Sequence, residues 1–279
     1  MLKRRWSTPG TARAGLVVGA AVAALAGAGH AAATRTPSSA ISKATASAYA
    51  TAVLADNPIV YYRLGESDGG SHQMLDSSGH VYTGQYSGAG NLTYSKPGAL
   101  KTDSDTSVES SGAHPIAEFA DTTSALPHGN AARTVEAWYR SKDTKHVQAL
   151  VGWGSNANHA AFGLIASKND VRIDIAQGAF FFKGKSPDSG KWHQLAVTWD
   201  GTTGRAYEDG QALKLDPHQT LPGTINTTPA SLLYIGDWMD HFVNSPLVGG
   251  LDEVSIYGTA LSATQISAHY LAATKKPKP

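Results

Sequence analysis

The residues of this chain that could do chemistry are turn carboxylates and loop aromatics set beside amides. Asp76 opens the run Asp76-Ser77-Ser78-Gly79-His80, whose tight turn can present one carboxylate together with backbone carbonyls. Asp252 follows Gly249-Gly250, where the lack of side chains lets backbone approach closely. Calcium takes about six to eight such oxygens. The competing reading is that Asp76 caps a turn and Asp252 makes a strand-end hydrogen bond or ion pair. Trp153 lies in Gly152-Trp153-Gly154-Ser155-Asn156-Ala157-Asn158, and Trp238 in Gly236-Asp237-Trp238-Met239-Asp240-His241. An exposed indole stacks on the apolar face of a sugar, and Asn156, Asn158, Asp237 and Asp240 could then take its hydroxyls. The competing reading packs both rings beneath their loops, because tryptophan is mostly buried in folded proteins.

Several catalytic chemistries are excluded by what is missing. There is no His-Glu-x-x-His helix, no Gly-x-Ser-x-Gly elbow and no phosphate loop. Cysteine is absent, so thiol nucleophiles and disulfides are impossible. Glycosidases need two carboxyl groups facing one bond. Glu136 is the nearest candidate, with Glu208 and Asp209 behind it. Asp252 and Glu253 are neighbours, so on a regular strand they point to opposite faces and cannot form a catalytic pair.

Those residues must be positioned by short strands. Ile59–Leu64, Thr134–Arg140 and His193–Trp199 are rich in β-branched and aromatic residues, and turns of Gly, Asp, Asn and Pro separate such runs. On Thr134–Arg140, Val135, Ala137 and Tyr139 share one face, and Glu136 and Trp138 the other. Asp209-Gly210 is a hairpin signal, since both residues accept positive φ. It joins Arg205–Glu208 to a third strand, Gln211–Leu215, in a meander. Two segments read as helix. Ala44–Leu54 is Ala-rich. Ser262–Leu271 has a capping box from Ser262 and Gln265 and a hydrophobic staple from Leu261 and Ile266, and is expected to cover one end of the sandwich. The fold class is therefore all-β, with short helices near the start and end.

Length and composition set the frame. Lys3, Arg4 and Arg5 precede the apolar run Gly15–Gly29 and the small residues Ala31-Ala32-Ala33, the pattern of a secretory signal over residues 1–33. Arg4-Arg5 leaves twin-arginine export open beside general secretion. The apolar run has 15 residues, short of the roughly 20 that span a bilayer. Residues 34–47 read as a flexible spacer, 48–273 as one domain and 274–279 as a disordered tail. Net charge is +1, from 23 basic and 22 acidic residues, so neither nucleic acid nor an anionic membrane is indicated as partner.

Four stretches taken in order resemble a known family. They are Tyr49–Glu66, Asp76–Gly84, Thr134–Trp138 with Trp192–Gly201, and Gly249–Tyr257 with the helix that follows. Together they resemble the laminin-G-like, concanavalin-A-like jelly-roll domains, over about residues 49–273. Many relatives have Asn where His80 stands. The resemblance implies a secreted, two-sheet antiparallel jelly roll that binds carbohydrate on a polysaccharide or cell surface without catalysis. An extracellular protein is the alternative partner, and a polysaccharide hydrolase or lyase the third. It also implies a structural Ca2+ where the early loop and the late Asp-Glu strand meet. Asp76 and Asp252 would be its side-chain ligands, with carbonyls from Gly79 and His80.

Overall fold

The computed structural model describes residues 47–67, 72–88, 90–112, 115–184, 190–219, 224–238 and 245–275. The expected leader, all of the expected spacer except Ser47, and residues 276–279 lie outside them.

Two antiparallel sheets pack face to face. The first runs in space β14 (Gln211–Ala212), β13 (Gly204–Glu208), β12 (His193–Trp199), β7 (Arg133–Ser141), β17 (Val248–Tyr257), β5 (Thr106–Ser111), β4 (Leu92–Pro97), and β1 (Val60–Tyr62) also pairs with β17. The second runs β15 (Lys214–Leu215), β11 (Ala179–Lys183), β10 (Asp170–Asp174), β9 (Ala161–Ala166), β8 (Gln148–Gly154), β16 (Leu232–Ile235), β6 (Ala117–Ala120), β3 (Gly84–Tyr86), β2 (Gln73–Met74). The expected alternation holds on β7, whose Val135, Ala137 and Tyr139 enter the core between the sheets. There they join Leu195, Val197 and Trp199 of β12 and Leu164, Ile173 and Ile235 of the opposite sheet.

Strands β7, β12 and β17 are buried on both faces, so the outer face of the first sheet needs a cover. Two helices supply it. Tyr49, Ala50 and Val53 of α1 (Ala48–Ala55) and Ile266 and Ala273 of α2 (Ala263–Thr274) pack with Trp138, Ala196, Tyr207 and Tyr257 of the sheet. The C-terminal helix thus lies across a sheet face rather than over one end of the sandwich. Its capping box is as the sequence requires: the Ser262 side chain accepts from the Gln265 N–H, and the Gln265 side chain accepts from the Ser262 N–H. Leu261 and Ile266 are both buried in the same cluster.

The hairpin at Asp209-Gly210 forms with φ of 51° and 73°, the positive values a tight primed turn needs. The third strand of the meander divides, however. Gln211 and Ala212 pair with β13, whereas Lys214 and Leu215 pair with β11 in the other sheet. The chain changes sheets at Leu213, so a run that reads as one strand serves two.

Candidate functional site

The adjacent acids of β17 do not alternate. The register with β7 shifts between Asp252 and Ser255, and Glu253 adopts φ of 52°. This β-bulge sends both side chains into the protein, where Asp252 is 1% and Glu253 0% exposed. Glu253 accepts hydrogen bonds from the Tyr61 hydroxyl and from Arg63, whose Nη2 is 2.9 Å away. Arg63 also pairs with Asp103 and, at 3.0 Å, with Asp105. Burial raises the Asp252 carboxyl well above the ordinary carboxylate range, and the charge of Glu253 adds to the rise. Burial also raises Glu253, against the opposing pull of Arg63.

The expected calcium ligands make different contacts in the fold. Asp76 is saturated by protein donors. Its Oδ1 accepts from the N–H of Tyr61 at 3.0 Å and of Ser78 at 2.9 Å, and its Oδ2 from the Ser78 hydroxyl at 2.8 Å and the Tyr82 N–H at 3.0 Å. This is the turn-capping role. Gly79 and His80 lie on an exposed turn. Asp252 accepts from the Ala99 N–H at 2.7 Å, and its other oxygen is buried without a hydrogen-bond partner. Among the described residues no group of three or more His, Cys, Asp or Glu is placed to hold a metal. Asp76 is thus held by protein donors, and the positive charge beside Asp252 and Glu253 is the Arg63 guanidinium.

Glu136 is equally internal. Its Oε1 accepts from the Tyr49 hydroxyl at 2.8 Å and from Gln194 Nε2 at 2.6 Å, and its Oε2 meets His269 Nδ1 at 2.9 Å. The other imidazole nitrogen meets Asp56 Oδ2 at 3.0 Å. Burial alone would lower the His269 pKa, but the hydrogen bond and charge of Glu136, with Asp56, raise it above the ordinary value. Glu136 thus ties both helices to the first sheet. Behind it, Asp209 holds His193 at 2.9 Å and the Gln194 N–H at 3.1 Å.

The two loop tryptophans are packed, not presented. Trp153 is 1% exposed and points into the core. Its indole N–H donates to the Pro127 carbonyl at 2.9 Å. Beside it Arg133, which no sequence motif singled out, is fully buried and donates to Pro127 O and Thr227 Oγ1. Burial lowers its pKa to about 10. Trp238 is 2% exposed. Its ring lies over Gly152 and Gly163 on the outer face of the second sheet: a Cβ at Gly152 would stand 2.5 Å from Trp238 Cζ3, and one at Gly163 nearer still. Asp237 is buried, Asn156 half-buried and Asn158 exposed. Asp240 lies outside the described residues. The expected stacking platforms are therefore filled by packing, because both rings lie against the sheets rather than at the tips of their loops.

What the outer face of the second sheet does present is a row of side chains set by register. Gln85 of β3 stands opposite Glu118 of β6, which stands opposite Tyr234 of β16. The row continues through Gly152 and Gly163, under Trp238, to Asp174 of β10. Gln85 is exposed and Glu118 and Tyr234 are half-buried. A groove of about 500 Å³ is lined by Gln85, Glu118, Ala120 and Leu232 among others, and Tyr234 stands next to Glu118 in the row. Tyr234 packs against the patch of Trp238, Ala149 and Ile165. An amide, a carboxylate and a phenol thus share one line beside an apolar floor. No sequence motif marked it, since each residue comes from a different strand.

A family model described as "Concanavalin A-like lectin/glucanases superfamily" (Laminin_G_3) matches residues 111–267. No curated protein matches the chain. Among solved structures the chain is similar to the binding domain of botulinum neurotoxin serotype G, with a TM-score of 0.55 and 15% identity over 77% of this chain and 50% of that one. It is also similar to Trypanosoma rangeli sialidase in complex with sialic acid, at 0.54 and 16% over 77% and 33%. A third is domain 4 of AbnA, a GH43 extracellular arabinanase of Geobacillus stearothermophilus, in complex with arabinotriose, at 0.50 and 18% over 77% and 98%. The chain spans half the length of the neurotoxin domain and about a third of the sialidase, and identities this low show the fold alone. With more than half of its length matched by the family model and its strands in two antiparallel sheets, the chain belongs to the concanavalin A-like lectin/glucanase superfamily.

Proposed function

We propose that this chain is a secreted, non-catalytic module that binds carbohydrate of a polysaccharide or cell surface along the Gln85–Glu118–Tyr234 row. The observation that carries this reading is the row itself: polar groups suited to sugar hydroxyls stand beside an aromatic ring and an open groove. The arabinanase domain, which has the same fold, is in complex with arabinotriose, and this adds support by analogy. The apolar leader at the N-terminus supports export.

The row is poorly suited to hydrolysis. Four strand spacings separate Glu118 from Asp174, which is ~19 Å at ~4.8 Å per strand. Paired carboxylates of glycosidases stand about 5–10 Å apart. A single carboxylate among neutral neighbours orients a ligand rather than cleaving it.

The test is a glycan and polysaccharide array probed with the intact protein, followed by Tyr234→Ala and Glu118→Gln. Saturable binding to a glycan class, weakened about tenfold in both variants with the circular dichroism unchanged, is the expected result. A blank array, or binding untouched by both substitutions, would overturn the assignment.

A further inference from the structure

At the far end of the same sheet a second recess of about 300 Å³ is lined by residues that include Asn169, Asp170, Phe181, Lys183 and Asp216. Its lining comes from β10, β11 and the residues that flank them, with Asp216 just after the two-residue strand β15, so that Lys214 stands next to the recess rather than in its floor. Register places Lys183 of β11 directly opposite Lys214 of β15. Directly opposed side chains on antiparallel strands stand about 5 Å apart at Cβ, and like charges there are destabilising. Both lysines are exposed, and among the described residues neither has an ion-pair partner within 4.0 Å.

Two carboxylates, Asp170 and Asp216, also line the recess. Asp170 stands opposite Lys183 across β10 and β11. Its oxygens, however, take Arg172 Nε at 2.5 Å and the Ser167 hydroxyl at 3.1 Å. Asp216 accepts the His218 N–H at 3.0 Å, and Lys183, Lys214 and Arg172 together outnumber the two carboxylates. Arg172 is held in turn over the Phe181 ring, 4.5 Å from its centre, so the recess has a half-buried aromatic wall with cations at its rim. A like-charged pair held in register beside a cavity is relieved by an anion that both ammonium groups can reach.

We propose that this recess is an anion-selective subsite, in which Lys183 and Lys214 together hold the carboxylate or sulfate of an acidic sugar residue. Phe181 supplies the apolar wall and Asn169 an amide for hydroxyls. The inference rests on the carbohydrate reading above and specifies its ligand class: a glycan charged along its length. It places the charged residue on the same outer sheet face as the Tyr234 row, at its opposite end.

The test measures the intact protein against polygalacturonate, fully methyl-esterified pectin, dextran sulfate and plain dextran at low and high salt. The charged polymers are expected to bind more tightly than their uncharged counterparts, with affinity falling as salt rises. Preference for polygalacturonate assigns a carboxylate, and preference for dextran sulfate a sulfate ester. The double variant Lys183→Gln/Lys214→Gln is expected to weaken the charged polymer by about tenfold or more, the scale of one charge-assisted contact. Both side chains are exposed, and circular dichroism confirms that the variant folds. Equal binding of charged and uncharged polymers, or charged binding that survives the double variant, would overturn the subsite. Neutral glycans bound through Tyr234 alongside either result leave the carbohydrate reading standing. A protein that binds no glycan of any kind removes both.

Discussion

The carboxylate of Glu136 and the imidazole of His269 meet at 2.9 Å inside the protein, joining a central strand of the first sheet to the C-terminal helix. Asp56, just past the first helix, closes on the other imidazole nitrogen at 3.0 Å. A single side chain therefore bridges two helices and a sheet, and its charge state controls how well they dock.

This gives a pH dependence with a definite sign. Folding raises the His269 pKa above its unfolded value of about 6.5. The stabilisation is fully present below about pH 6.5 and is lost as pH rises through the folded-state pKa. Thermal unfolding between pH 6 and pH 9 should show a midpoint that falls with pH, and His269→Gln should flatten that slope. Replacing His269 by Ala should cost ~3–5 kcal/mol, the scale for breaking a buried ion pair. An unchanged slope in His269→Gln would place the pH dependence elsewhere.

Arg63 serves as the internal cation where Glu253, Asp103 and Asp105 converge. Its replacement by Ala should destabilise by ~3–5 kcal/mol, because Glu253 is left buried and unpaired. With the Asp76 oxygens already taken, the unfolding midpoint should be the same in calcium and in EDTA. A calcium-dependent rise of several degrees would show that oxygens near Asp252 gather an ion after all.

Trp238 is predicted to matter for stability. Trp238→Ala should cost ~3–5 kcal/mol in chemical denaturation, while a glycan bound by the Tyr234 row keeps most of its affinity. Gly163→Ala should cost ~1–3 kcal/mol, because its new methyl runs into the indole. Loss of glycan binding in Trp238→Ala at unchanged stability would return the indole to the ligand site.

Tyr234→Ala and Glu118→Gln separate the ligand face from the scaffold. Both side chains are half-buried on the outer face and Tyr234 also packs on the Trp238 patch, so Glu118→Gln should stay within ~0.5 kcal/mol and Tyr234→Ala should cost ~1–3 kcal/mol, while affinity for the bound glycan falls by about tenfold. Isothermal titration beside thermal unfolding reads the two effects independently. A large loss of stability without loss of affinity would make Tyr234 a packing residue.

Local rules carried much of the fold. Alternation placed Val135, Ala137 and Tyr139 in the core, the Asp209-Gly210 pair turned where positive φ was available, and the Ser262–Gln265 capping box started the last helix. Each depends only on residues within a few positions of one another, so the amino-acid order contains it. The bulge at Glu253, the change of sheet at Leu213 and the glycine seat beneath Trp238 depend on what strands far along the chain offer as partners. The candidate sites belong to the same class. Gln85, Glu118 and Tyr234 come from separate strands, as do Lys183 and Lys214, and only sheet register sets them side by side. Residue order alone specified an all-β chain with a capped C-terminal helix and tight turns. Tertiary pairing settled which carboxylates and tryptophans were drawn inside and which side chains were left facing solvent, because burial depends on the partner strand or helix and not on the neighbours in sequence.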